Sequence, residues 1–261
     1  MSGDRFQPLV LCYHAVSDSW PDRLSVGPRT LERQLRSLLR RGYRPAGADS
    51  VVGGSGKLLH VTFDDAYRSV ANALPVLERL RLPATVFACS GFADGGRVLD
   101  VPELAMEAAA YPDELATMTW DALVSLVDRG VEVGSHTVTH AHLTRLSDAE
   151  LVRELGESRE RMEARLGRRC RYLAYPYGEE DARVRAAARA AGYAAAFGLP
   201  GNEHPVDRFS LPRVGVWRGD NVARFTVKTV TSVRRLARAA PWLVPRGKPR
   251  VPPAPAAGSP R

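Results

Sequence analysis

Short apolar runs alternate with segments of helical period along most of this chain. Residues 9–14, Leu-Val-Leu-Cys-Tyr-His, have the pattern of a buried strand that ends on a polar residue. Leu31, Leu35, Leu38 and Leu39 then recur at i, i+4, i+7 and i+8, which predicts an amphipathic helix after Pro28 that Gly42 stops. A strand is expected at Leu58–Phe63, a helix over 67–80 and a strand at Ala84–Ala88. Residues 91–118 are weakly patterned and read as an excursion over one face. Helices at Trp120–Asp128, Asp148–Leu166 and 181–191 are expected to alternate with strands at 131–134, 172–175, 193–197 and 210–216. That alternation implies right-handed βαβ units and a parallel sheet or barrel. His14, Asp64, Asp65, His136 and Tyr177 all fall at C-terminal strand ends, which in an α/β barrel gather on the rim that carries active sites.

Two runs on that rim carry candidate chemistry. His60-Val-Thr-Phe-Asp64-Asp65 delivers adjacent carboxylates, and Ser135-His136-Thr-Val-Thr-His140 delivers two imidazoles at i, i+4. Either pair alone has a plain reading, as a strand-end cap or a satisfied loop histidine. Together, two imidazoles and one carboxylate make an open site for Zn²⁺ or a similar ion, and the second carboxylate is left as a base. Metal-assisted hydrolysis follows. The facial triad of non-haem iron oxygenases has the same donors, but it needs an acid close in sequence to one histidine. A glycosidase needs carboxyl groups about 5–9.5 Å apart across the bond, which adjacent residues do not readily provide.

These residues resemble the polysaccharide deacetylases, or NodB-homology domains, and the resemblance covers roughly residues 8–217. It rests on Thr62-Phe-Asp64-Asp65, on the His136/His140 pair and on Tyr175-Pro176-Tyr177-Gly178, with support from Tyr13-His14, the Trp120 helix and Leu211-Pro-Arg213-Val. The family implies a distorted (β/α) barrel with fewer than eight regular strands. It also implies metal-dependent removal of N-acetyl groups from a sugar in a polysaccharide, oligosaccharide or glycolipid. By the same resemblance Asp65, His136 and His140 match the metal ligands and Asp64 the general base, while the backbone N–H of Tyr177 matches an oxyanion donor. Two departures stand out. Ala174 occupies the position where many members carry an arginine, and the C-terminal Leu-x-x-His motif, whose histidine protonates the leaving amine, is missing. A subgroup with Tyr-His on the first strand draws its acid from there. On that reading His14 is the acid and Arg213 supplies the arginine that orients Asp64. His204 is a weaker rival as acid, and His60 lies well below the rim. A catalytically inactive carbohydrate- or lipid-binding domain is the alternative, though binding alone has no need of the base.

Charge changes the picture only at one end. The net +8 divides into +9 from nine Lys/Arg and no Asp/Glu in residues 221–261, and −1 from 28 basic and 29 acidic residues elsewhere. A general nucleic-acid surface is therefore not expected. The division expected is a catalytic domain at 1–219 and, at 220–261, a basic amphipathic helix followed by a Pro-rich, disordered end. On a helical wheel Val222, Phe225, Val233, Leu236 and Ala240 share one face, with Val230 at its edge. Residues 222–243 would then touch an anionic membrane peripherally. Cys12, Cys89 and Cys170 are odd in number and lack CxxC spacing, so they read as buried thiols in a reducing compartment. The start of the chain leads straight into a strand with no signal-like segment, and no apolar run is long enough to span a bilayer. A cytoplasmic location, extending to the inner membrane surface, is expected.

Overall fold

The computed structural model describes residues 8–199 and 207–230. Strands β1 (Leu9–Tyr13), β3 (Leu58–Phe63), β4 (Ala84–Ala88), β5 (Glu132–Ser135), β6 (Tyr172–Ala174) and β7 (Ala195–Gly198) are parallel to their neighbours. Two short strands, β8 (Leu211–Pro212) and β9 (Val214–Gly215), close the ring in the order β8-β7-β6-β5-β4-β3-β1-β9. Only Arg213 separates β8 from β9. One stretch, residues 211–215, thus pairs with β7 by its first half and with β1 by its second. The expected strand at 210–216 is present but shared between two edges, and the result is the distorted barrel that the sequence implied. A further short strand, β2 (Arg44–Pro45), pairs with β3 off this path.

Alternation along each strand sorts side chains into two cores, as burial on both faces of a parallel strand requires. Leu9, Leu11 and Tyr13 of β1 and Leu59, Val61 and Phe63 of β3 pack outward with Leu31, Leu35 and Leu38 of α1 (Pro28–Arg40). Val10, Phe87, Tyr172, Ala174, Ala195 and Phe197 pack together in a second cluster, with Ala48 and Val51 of α2 (Ala48–Gly53). His60 belongs to this inner layer. Its Nδ1 donates to the Ala46 carbonyl at 2.8 Å, which leaves Nε2 to accept from the Thr85 hydroxyl at 2.9 Å. Burial holds its pKa down at about 4, so it is a neutral structural residue. Gly134 is required at the middle of β5, because a Cβ there would lie 2.6 Å from the Phe87 ring and 2.9 Å from the Tyr172 carbonyl oxygen.

The expected helix over 67–80 is in fact a 3₁₀ turn, Arg68–Ala73, followed by α3 (Leu74–Leu80) with Pro75 in its first turn. Proline is tolerated there because its missing N–H would have no partner in the helix. The excursion over 91–118 is built rather than loose. It contains a 3₁₀ turn at Pro102–Leu104 and α4 (Ala105–Ala110), and Val98 bridges Ala116. Leu99, Val101 and Leu115 are buried with Trp20 and Tyr67. Beyond it come α5 (Trp120–Asp128), α6 (Asp148–Leu166) and α7 (Ala182–Ala190). Thr119 and Asp181 cap the first and last of these helices, and Ser147 and Glu150 form a capping box on α6.

The C-terminal helix differs from its expected form. α8 spans Val222–Thr229, and Val230 is already extended. Phe225 and Thr229, at i and i+4, are buried, whereas Val222 is 64% exposed, so the expected apolar face is split. The end is set by tertiary bonds: Arg41 and the Tyr43 hydroxyl donate to the Thr229 hydroxyl and carbonyl at 2.7 and 3.1 Å. α8 thus packs on the barrel, past the boundary expected at 219. Val233, Leu236, Ala240 and His204 lie outside the described residues. No helix among the described residues is long and apolar enough to cross a membrane.

Candidate metal centre and catalytic site

Strand alternation alone would send Asp64 and Asp65 to opposite faces, yet both carboxylates are buried on one rim. The backbone explains this. Asp64 still pairs as strand, its N–H donating to the Tyr13 carbonyl at 2.9 Å, and the chain then turns left-handed at Asp65 (φ 67°) and Ala66 (φ 49°). Thr137 (φ 70°), His140 (φ 62°) and Tyr177 (φ 60°) are also left-handed, so the loops after β3, β5 and β6 each hold a conformation unusual for non-glycine residues. Such strain persists only where the surroundings enforce it, and it gathers at functional sites.

Asp65, His136 and His140 converge. Asp65 Oδ1 lies 3.5 Å from His136 Nε2 and 3.3 Å from His140 Nε2. His136 Nδ1 donates to the Ala174 carbonyl at 2.7 Å, which fixes the tautomer and leaves a lone pair on Nε2. Burial brings the His136 pKa down to about 4, so the ring is neutral as a ligand must be. Asp65 Oδ1 is buried without a hydrogen-bond partner. Lone pairs aimed at one point, on donors about 3.3 Å apart, are what a tetrahedral ion with bonds of about 2.0–2.1 Å requires. Burial works against charge on Asp65, but the His140 contact and the nearby imidazoles hold its carboxyl below the usual range. The residues present fit a divalent ion.

Asp64 faces a different partner. Arg213 Nη1 and Nη2 donate to its Oδ1 and Oδ2 at 2.6 and 2.8 Å, a two-pronged ion pair with both side chains buried. The guanidinium is itself fixed by the Thr62 hydroxyl at 3.1 Å and lies over the Phe87 ring. Burial would raise the Asp64 carboxyl, but Arg213 overrides it and holds the group well below the carboxylate range. Cys12, its thiol kept protonated by burial, donates to Asp64 Oδ2 at 3.3 Å. His14 joins Cys12 and Asp64 in a second tight group of donors. The His14 ring stacks on Trp217, with centroids 5.4 Å apart, its Nδ1 is buried without a partner, and burial lowers its pKa. The charge on Arg213 disfavours a second cation in this group.

A sequence profile for polysaccharide deacetylases matches residues 52–196, which include both aspartates and both histidines. This chain belongs to that family. It is 23% identical over 192 residues to Bacillus subtilis (strain 168) "Putative polysaccharide deacetylase YxkH", a match that covers 70% of this chain and 61% of that protein. The deacetylase barrel superposes on BC0361, a polysaccharide deacetylase from Bacillus cereus, at a TM-score of 0.67. The two are 25% identical, over 86% of this chain and 69% of that one. IcaB from Ammonifex degensii shares the fold, with a TM-score of 0.69, 24% identity and coverage of 85% and 94%.

Two residues around this candidate site escaped the sequence reading. Glu154 of α6 is buried and accepts from the backbone N–H groups of Val138 and Thr139 and from the Thr139 hydroxyl, at 2.9, 3.0 and 2.7 Å, which grips the loop between the two histidines. A signal was present, since Glu154 stands on the apolar stripe of Leu151, Leu155 and Met162. Trp217, two residues past β9, gave no comparable signal.

Proposed function

We propose that this site hydrolyses the N-acetyl group of an N-acetylated sugar, carried in a polysaccharide, oligosaccharide or glycolipid, with Zn²⁺ held by Asp65, His136 and His140. The observation that carries the reading is the division of the aspartate pair. Asp65 turns to two imidazoles and Asp64 to a guanidinium, which gives one ligand and one base from adjacent residues. A bound ion would polarise the acetyl carbonyl and acidify water. Asp64 would serve as the base that takes a proton from the attacking water. Arg213 uses one lone pair on each Asp64 oxygen and the Cys12 thiol takes the second on Oδ2, which leaves one on Oδ1 to accept. The ion pair keeps Asp64 ionised and aimed, and even a weak base would suffice for water that a bound ion acidified. Tyr177, fixed at φ 60° and ψ 0°, offers its backbone N–H to the developing oxyanion, a role that the preceding Pro176 cannot take.

His14 gives the proton to the leaving amine. Its depressed pKa makes it neutral at neutral pH, so it serves as the acid only after taking up a proton in the same turnover. His14→Ala is expected to lower kcat by about 10²–10⁴-fold and to leave the metal content unchanged. A substrate with a better leaving group should recover part of the loss, and wild-type turnover in this variant would refute the assignment. Peripheral contact with an anionic bilayer through residues 222–243 belongs to the same proposal, supported by exposed Val222 and Val227 beside Arg224 on α8. Acetate release from a panel of N-acetylated glycans and glycolipids tests the main reading. Release that a chelator abolishes and zinc restores is expected. Glycan binding without any release would point instead to an inactive binding domain.

A further inference from the structure

His142 lies two residues past His140 and has no part in the reaction just described, yet both of its ring nitrogens are engaged. Nε2 stands 3.0 Å from Glu103 Oε1 and Nδ1 stands 2.9 Å from Glu179 Oε2. The ring lies flat on Tyr177, with centroids 3.8 Å apart and planes 7° from parallel. Glu103 uses its second oxygen to accept from the Tyr177 hydroxyl at 2.9 Å. The Tyr177 and His140 rings in turn meet at a steep angle, with centroids 4.6 Å apart and planes 70° from parallel. Four side chains thus join three separate loops. Glu103 comes from the excursion after β4, His142 from the loop after β5, and Tyr177 and Glu179 from the turn after β6.

The Glu103, His142 and Glu179 side chains are 35%, 20% and 38% exposed, so water screens their attraction and they add little to overall stability. Their effect is on position. Tyr177 keeps a left-handed backbone that a non-glycine residue holds only when its neighbours enforce it. The ring of His142 closes over one face of the Tyr177 ring, and Glu103 ties down its far end. Glu103 is itself well placed, because buried Leu99 and Val101 anchor the chain just before it.

We propose that His142, clamped between Glu103 and Glu179, is a positioning residue. It holds Tyr177 in the turn from which the backbone N–H meets the substrate carbonyl, so docking of the excursion sets turnover. The proposal rests on the reading of Tyr177 as the oxyanion donor. His142→Phe keeps a ring on Tyr177 but removes both nitrogens. It should lower kcat by about 10-fold or more, within the range seen when a supporting partner of a site is lost. KM should stay within about twofold, because the N–H acts on charge that develops in the transition state. Zinc per chain should not change, and amide hydrogen exchange should accelerate over residues 175–180 but not in α7. Tyr177→Phe, which loses only the bond to Glu103, should show a smaller fall in kcat. Met106→Ala, at a position 84% exposed on the same excursion, should change nothing. Wild-type kcat in His142→Phe, or unchanged exchange over 175–180, overturns the proposal. If the wild-type protein releases no acetate from any substrate, the functional reading fails by itself, and the exchange measurement alone decides the clamp.

Discussion

Asp64→Asn should nearly abolish turnover and keep the metal, whereas Asp65→Ala should lose the metal itself. The expectation follows from what each carboxylate touches. Asp65 Oδ1 is the buried oxygen toward which both imidazoles aim, and removing it leaves two ligands of the three. That loss should weaken metal affinity by more than the about 10–100-fold that loss of a residue supporting a ligand costs. Asp64 touches neither imidazole ligand in an ion pair, and its replacement removes one proton transfer worth about 10²–10⁴-fold in rate. Elemental analysis of the purified variants gives metal per chain, and acetate release gives the rate. Equal metal content with equal activity in both would refute the division of labour, and metal loss from Asp64→Asn alone would invert it.

How much of this was legible in the sequence depends on how locally each feature is determined. The barrel was legible because a strand buried on both faces has a composition of its own, as in Leu9–Tyr13 and Leu58–Phe63. Strand ends gather on one rim, so Asp64, Asp65, His136 and Tyr177 could be placed together before any contact was known. What brings the two aspartates onto one face was not legible, because nothing in Asp65-Ala66 marks a left-handed turn of two non-glycine residues. Nor could hydrophobic period separate a six-residue 3₁₀ turn at Arg68–Ala73 from the start of α3, since six residues make no more than two turns of either helix and too few apolar repeats to tell the periods apart. The contacts of Glu103 with His142 and Tyr177 span 39 and 74 positions. They depend on the path of an excursion whose apolar anchors, Leu99, Val101 and Leu115, follow no regular period. The end of α8 was missed for a related reason: Arg41 and Tyr43 determine it, and both lie far away in sequence.

Arg213→Met should destabilise the fold by about 3–5 kcal/mol, and the size of that loss should depend on pH in a specific direction. Arg213 is 1% exposed and Asp64 is 3% exposed. Removing the guanidinium leaves a buried carboxylate with, among the described residues, only the Cys12 thiol still bonded to it, and this uncompensated charge is the main cost. In the wild-type protein the folded Asp64 pKa lies well below its unfolded value of about 3.9. Asp64 therefore contributes stability that is fully present above that value and is lost as pH falls toward the folded pKa. In the variant the largest remaining influence is burial, which pushes the carboxyl up. The folded state then binds the proton more tightly than the unfolded chain does, so the variant gains stability as pH falls through the raised pKa. The gap between wild type and Arg213→Met should narrow from pH 7 to pH 5, while Asp64 protonates in the variant alone. Denaturant midpoints at both pH values, with chelator present throughout to remove metal linkage, measure it. A gap that stays constant on acidification would mean that the loss comes from the Thr62 and Gly198 bonds of Arg213, which do not titrate, rather than from the charge on Asp64. The Asp64→Asn/Arg213→Met double variant separates the two from the other side. With the Asp64 charge gone, it should be more stable than Arg213→Met alone, and its stability should lose the pH dependence that Asp64 supplies.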